Sequence, residues 1–127
     1  MEDETQKLGH GQLEETLEDR IEVLYFTQLG HKPNKVSCHL VDKTLSINVE
    51  NSLTKPVQLL AESGKQELAE LARFNIYKAF KPQLQALIEE VIGVSVIDLL
   101  GDSKLETGLT SILAVLAAAP KVRLSNK

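Results

Sequence analysis

Three histidines, one cysteine and a scatter of acids and bases are the side chains from which this 127-residue chain could build chemistry. The histidines are His10, His31 and His39, and no two of them stand four apart on a helical face. Cys38 and His39 are adjacent, and adjacent side chains of a strand point to opposite faces. A zinc site needs three or four converging ligands, so this spacing predicts no metal site and solvent-exposed histidines. Cys38, in step with Val36 and Leu40, reads as a buried thiol with no activating base beside it. Neither GxxxxGKS/T nor GxGxxG is present, and Gly9-His10-Gly11 follows no strand. No serine lies in a GxSxG elbow. Glu89 and Glu90 are helix neighbours projecting about 100° apart, too divergent for a carboxylate dyad. No residue is nominated as catalytic, no cofactor is implied, and the expectation is of a protein that is not an enzyme.

Arg73 is the side chain whose position asks for an explanation. On a helical wheel it lies near Phe80, Leu84 and Val91, beside an apolar stripe, so it must snorkel outward or find an acceptor. Asp98 poses the matching question, since strict alternation puts it on one strand face with Val94, Val96 and Leu100. One answer is a structural Arg73–Asp98 ion pair. The other is an anion-binding or partner-binding spot that Arg73 forms with Tyr77, Lys78 or Lys81. A second cationic segment, Gly30 to Lys35, carries His31, Lys32 and Lys35 between a helix and the sheet, where recognition loops often lie. Its plain reading is a connector.

These side chains hang on elements that the apolar spacing outlines. Residues 1–11 are polar and read as a flexible leader. Leu13, Leu17, Ile21 and Leu24 recur at helical spacing from Gln12 to Leu29, Gly30 supplies a stop and Pro33 prevents resumption. Val36, Cys38 and Leu40, then Leu45, Ile47 and Val49, alternate as strands. A two-residue loop at Asp42-Lys43 pairs 40 with 45, 38 with 47 and 36 with 49, which sets all six apolar side chains on one face. Thr54 and Pro56 open a short helix that runs to Ser63 and ends at Gly64. A long helix from about Lys65 to Ile92 follows, with apolar positions from Leu68 and Leu71 to Leu87 and Val91 and an expected kink at Pro82. Val94 to Leu100 is a strand, and Gly101 opens a loop reaching to about Gly108. The stretch Leu109 to Ala117 is read as a strand, although its alanines favour helix. Pro120 ends it, before a basic tail with Lys121, Arg123 and Lys127. The predicted fold is α+β, a single domain over 12–119 with a tail over 120–127. Its order is α-β-β-α-β-β, two hairpins forming one antiparallel sheet under a long kinked helix.

Composition bounds the function further. A chain of this length buries roughly two-thirds of its unfolded surface, enough for a core without metal or disulfide. Cys38 is the lone cysteine, so no intrachain disulfide can form. Met1-Glu2-Asp3-Glu4 lacks the pattern of a signal peptide, and no apolar run approaches the ~18–20 residues that span a bilayer. A cytoplasmic protein without direct membrane insertion is expected. Net charge is −4, with −6 carried by residues 1–22 alone. That distribution argues against nucleic-acid binding, which needs a clustered basic surface.

The helix closing on Gly30 with Pro33 and the strand pair at 36–49 begin a recognisable order. Leu53-Thr54-Lys55, Gly64 opening a helix, Arg73, Gly93 before the third strand and Asp102 after it complete it. In these features, over about residues 11–117, the chain resembles the MpsC family, formerly catalogued as a domain of unknown function. It departs in its acidic leader, in Pro82 and in its alanine-rich final segment. The resemblance implies a small cytosolic α+β protein associated with a sodium-dependent membrane-potential-generating or inorganic-carbon uptake system whose membrane subunits perform the transport. The expectation is therefore a non-enzymatic accessory or regulatory protein working through protein–protein contacts. The alternative is a soluble small-anion sensor whose output is dimerisation. A homodimer is expected, covering either the edge of the uncharged 109–117 strand or the apolar side of the long helix.

Overall fold

The computed structural model describes residues 9–121; residues 1–8 and 122–127, with most of the expected leader and tail, lie outside the described residues. Helix α1 spans His10–Leu29, beginning two residues before the apolar pattern does. Gly9 is its N-cap, and the Gln12 side chain accepts from the Gly9 N–H at 3.2 Å. Gly30 stops it as expected, in the left-handed region at φ 65°, with its N–H donating to the Phe26 carbonyl.

Strands β1 (Lys35–Val41) and β2 (Thr44–Glu50) form a hairpin in the predicted register, Leu40 with Leu45, Cys38 with Ile47 and Val36 with Val49. All six of those side chains are buried. Asp42 accommodates the tight loop at φ 54°, a conformation that aspartate tolerates better than most residues. The short helix α2 (Lys55–Glu62) places Pro56 in its first turn. Helix α3 runs from Gln66 to Ile92 as one helix with Pro82 inside it.

Strand β3 covers Val96–Ser103, so Gly101, Asp102 and Ser103 belong to the strand rather than to a loop. Thr110–Leu116 is strand β4 and not helix. Its place in the sheet explains why: the order is β1-β2-β4-β3, so β4 pairs antiparallel on both sides. A strand with neighbours on both sides needs no charge to guard it. The expectation that 109–117 offers an exposed edge is corrected accordingly; the edges are β1 and β3.

One face of the sheet is covered by α1 and α3. Leu13, Leu17 and Ile21 of α1 and Phe80, Leu84 and Ile88 of α3 bury against Ile47, Leu99 and Ile112. Tyr25 and Phe80 join the two helices edge to face, with ring centres 4.8 Å apart. A smaller cluster of Leu53, Val57 and Ala69 seats α2 on the first part of α3. That first part departs from the expected stripe. Leu68, Leu71 and Phe74 stay exposed; α3 meets the main core from Tyr77, half-buried, and sends fully buried side chains into it from Phe80.

Candidate functional site

Arg73 lies in the half of α3 that precedes the core. Its side chain is 14% exposed, so it needs acceptors, and it finds three. Nε and Nη2 donate to Glu70 Oε1 at 3.0 and 2.8 Å, and Nη1 donates to Asp102 Oδ1 at 3.0 Å and Ser103 Oγ at 2.9 Å. Asp98 is not among them, which corrects the expected Arg73–Asp98 pair. A β-bulge between Val96 and Asp98 inserts one residue and inverts the alternation, so Val96 and Leu99 turn inward while Asp98 faces solvent. Four of the five guanidinium N–H groups are thereby engaged, with one cation facing two carboxylates.

Under Arg73, between α3, the end of β2 and the sheet, lies a pocket lined by Tyr25, Ser52, Thr54, Tyr77, Ser103 and Thr110 on its polar side. The Ser52 hydroxyl donates to the Gly108 carbonyl at 2.9 Å and lies 2.7 Å from Thr110 Oγ1. Thr54 Oγ1 and Tyr77 Oη are buried without a protein partner. The cavity measures about 30 Å3, room for one or two waters that such hydroxyls would bind. Burial pushes the Tyr25 phenol up to about 12, while the Thr110 side chain pulls the other way. Burial also raises Tyr77, and the charges of Asp98 and Asp102 add to it.

Tyr77, Lys78 and Lys81 do come together, in a groove along the flank of α3 and the β3 edge that Phe74, Leu99, Leu100 and Gly101 complete. Lys78 Nζ sits 5.4 Å from the centre of the Phe74 ring. Gly101 is fixed by close packing, because a Cβ there would lie 2.8 Å from Ile112 Cγ1 and 3.0 Å from Tyr77 Oη.

The 30–35 segment stands apart from that groove. His31 Nε2 donates to the Asn51 carbonyl at 2.6 Å, the Asn34 N–H donates to the Glu50 carbonyl at 2.9 Å, and Asn51 Nδ2 reaches Asn34 Oδ1 at 3.3 Å. These bonds pin the loop to the end of β2. Lys32 is exposed, 3.9 Å from Glu22, and lines a separate hollow on α1 with Val23 and Phe26. Lys35 opens β1 and is exposed.

One arrangement was invisible in the spacing. Glu18 accepts from the Cys38 N–H at 2.9 Å and Glu14 from the Leu40 N–H at 2.7 Å. Two carboxylates of α1 thus occupy the outward N–H groups of edge strand β1. The available hint was that Glu14 and Glu18 sit four apart, each next to a buried leucine. Cys38, between them and the core, is 1% exposed. Burial first, then Glu18 and Glu14, push its thiol up to about 12, so it stays protonated at neutral pH. Among the described residues no group of three His, Cys, Asp or Glu side chains is close enough to hold a metal ion.

A family model described as MpsC, Na+-translocating membrane potential-generating system, matches residues 9–118. The chain belongs to the MpsC family. Comparison with curated proteins and with solved structures each returns no match. The MpsC description links the chain to a sodium-translocating system, while no helix among the described residues is long and apolar enough to cross a membrane. Exposed apolar side chains stand among polar ones on the surface of this MpsC chain. The sheet face away from the helices shows Leu100 beside Leu113, and Leu71 and Phe74 stand out on α3.

Proposed function

We propose that this MpsC chain is a non-enzymatic accessory or regulatory protein, cytoplasmic, that acts by docking on the membrane subunits of a sodium-translocating or inorganic-carbon transport system. The observation that carries the reading is the exposed apolar surface: Ile97 is 67% exposed, Leu71 58% and Leu100 53%. Isolated apolar side chains such as Ile97 or Leu100 alone would need no explanation, but Phe74 and Leu100 border one groove with Lys78 and Lys81, and Leu71 stands beside Phe74 on α3, which is the composition of a docking surface. The family description supplies the kind of system that would be docked upon. The anion-sensor alternative draws less support, because Arg73 already spends four N–H groups on Glu70, Asp102 and Ser103. Affinity capture from detergent-solubilised membranes with the full chain as bait tests the proposal. It should recover an integral membrane protein, and a Leu71→Asp, Phe74→Asp variant should lose it. Recovery of no membrane protein, or equal recovery by the variant, refutes the reading.

A further inference from the structure

The first part of α3 lies outside the main core, and the charges it presents are sorted along its length. At about 100° per residue, Glu67, Glu70, Leu71, Phe74, Lys78 and Lys81 fall within one stripe about 100° wide. The buried Ala69, Phe80 and Leu84 point away from it. Leu71 and Phe74, both exposed, hold the middle of the stripe. Glu67 and Glu70 surround one hollow with them, and Lys78 and Lys81 surround another with Phe74. Phe74 thus stands between an acidic hollow and a basic one. The acids lie seven and four residues before it, and the lysines four and seven residues after it. Among the described residues Glu67, Lys78 and Lys81 have no ion-pair partner, and Glu70 meets Arg73 through Oε1 only.

Such an order is its own complement. A two-fold axis through Phe74, across the helix, sets Phe74 against Phe74, Glu70 against Lys78 and Glu67 against Lys81 of the second copy, and each charged pair recurs with the copies exchanged. Four opposite-charge pairs then flank an apolar centre to which each copy brings Leu71 and Phe74. A parallel pairing sets acids on acids and lysines on lysines, which costs affinity. A partner of one charge meets like charge on half of the stripe. We infer that this stripe is a self-recognition face, on which a second copy of the chain packs its own α3 antiparallel about Phe74. The pairing does not need the docking role proposed above. The two share Leu71 and Phe74, so a second copy and a membrane partner exclude one another on this face.

Sedimentation velocity of the full chain, from micromolar to near-millimolar concentration, should show a reversible dimer that weakens as salt rises. Glu67→Lys alone or Lys81→Glu alone should weaken it about tenfold, since each turns two opposite-charge pairs into like-charge ones. An equimolar mixture of the two variants should restore it, because every pair between them again joins a lysine to a glutamate. Misfolding of either variant does not produce that rescue. Phe74→Cys, whose two copies meet at the axis, should form an intermolecular disulfide under mild oxidant. Gln83→Cys, exposed on the same helix but with its copies about 27 Å apart along the axis, should not. Cys38 is buried and stays out of the reaction. A chain monomeric at the highest concentration, a dimer indifferent to either charge reversal, a mixture that fails to recover, or a Gln83→Cys disulfide that forms as readily overturns the inference. Membrane capture separates the two proposals. A dimer in this register without capture sinks the docking role alone, and capture by a chain that stays monomeric sinks the pairing alone.

Discussion

Removing both carboxylates that close the β1 edge, in a Glu14→Ala, Glu18→Ala variant, should destabilise the fold by about 2–3 kcal/mol. The figure follows from the geometry. Each carboxylate accepts one backbone N–H, at 2.7 and 2.9 Å, from a half-buried position on α1. Hydrogen bonds to a charged group contribute about 1.5–3 kcal/mol each, and solvent at a sheet edge replaces part of what is lost. Alanine also returns a few tenths of a kcal/mol per site through helix propensity. Glutamine at both positions keeps an acceptor without the charge and should lose about half as much. Urea unfolding with an unchanged m-value would give the stability difference. Amide exchange should show Cys38 and Leu40 losing protection while Ile47, on the inner strand, does not. If the double alanine variant lies within about 0.5 kcal/mol of the parent, water serves the edge as well as the carboxylates do, and the reasoning is refuted.

Gly101→Ala should cost about 1–3 kcal/mol in thermal unfolding, because its Cβ would press on Ile112 Cγ1 and on the Ser111 carbonyl at 2.9 Å. Arg73→Met should cost about 1–2 kcal/mol, since two of its acceptors are exposed carboxylates that can rehydrate, whereas Asp98→Ala should stay within about 0.5 kcal/mol. The opposite ranking would return Asp98 to the role of partner. Cys38 titrates near 12 in the fold against 9.0 as a model thiol, so as pH rises toward 9 and beyond the unfolded chain sheds a proton that the folded chain keeps. Stability should then fall with rising pH by at most about 1.4 kcal/mol per unit, and Cys38→Ala should remove most of the fall between pH 8 and 9, below the range where the unfolded Tyr25 and Tyr77 phenols, also raised in the fold, add their own; urea midpoints at pH 8, 8.5 and 9 in both proteins decide it.

The first hairpin was legible to the residue because two constraints agreed: a two-residue turn fixes the register, and period-two alternation fixes the face. Helix ends at Gly30 and Gly93 were legible for a similarly local reason. What failed was whatever depended on a distant partner. Apolar spacing along α3 cannot tell whether Leu68 and Leu71 meet a core or solvent, since α2 covers only part of that half. The bulge before Asp98 adds a single residue, which strict alternation cannot register, so the need of Arg73 for acceptors was readable and their identity was not. Glu14 and Glu18 bond to backbone amides 26 and 20 residues away, and a main-chain donor carries no sequence signature.

The β3 edge bears on the homodimer. Ladder alternation turns Leu99, Gly101 and Ser103 outward, and self-pairing across a two-fold joins outward to outward residues, so Gly101 can face Leu99, Gly101 or Ser103 of the second copy; the last sets Asp102 against Asp102. Setting Leu99 against Gly101 of the second copy also sets Asp98 against Asp102 of that copy, two like charges. Setting Gly101 against Gly101 of the second copy places Asp98 opposite Lys104 and Leu99 opposite Ser103, whose N–H is already held by Asp102. A β3 dimer, where it forms, should therefore use the second register with few backbone bonds and be weak. Carbodiimide coupling should join Asp98 of one copy to Lys104 of the other at high concentration, and Lys104→Glu should abolish both the cross-link and the dimer. A tight dimer indifferent to Lys104 would place self-association elsewhere, on the exposed side of α3 with Leu71 and Phe74.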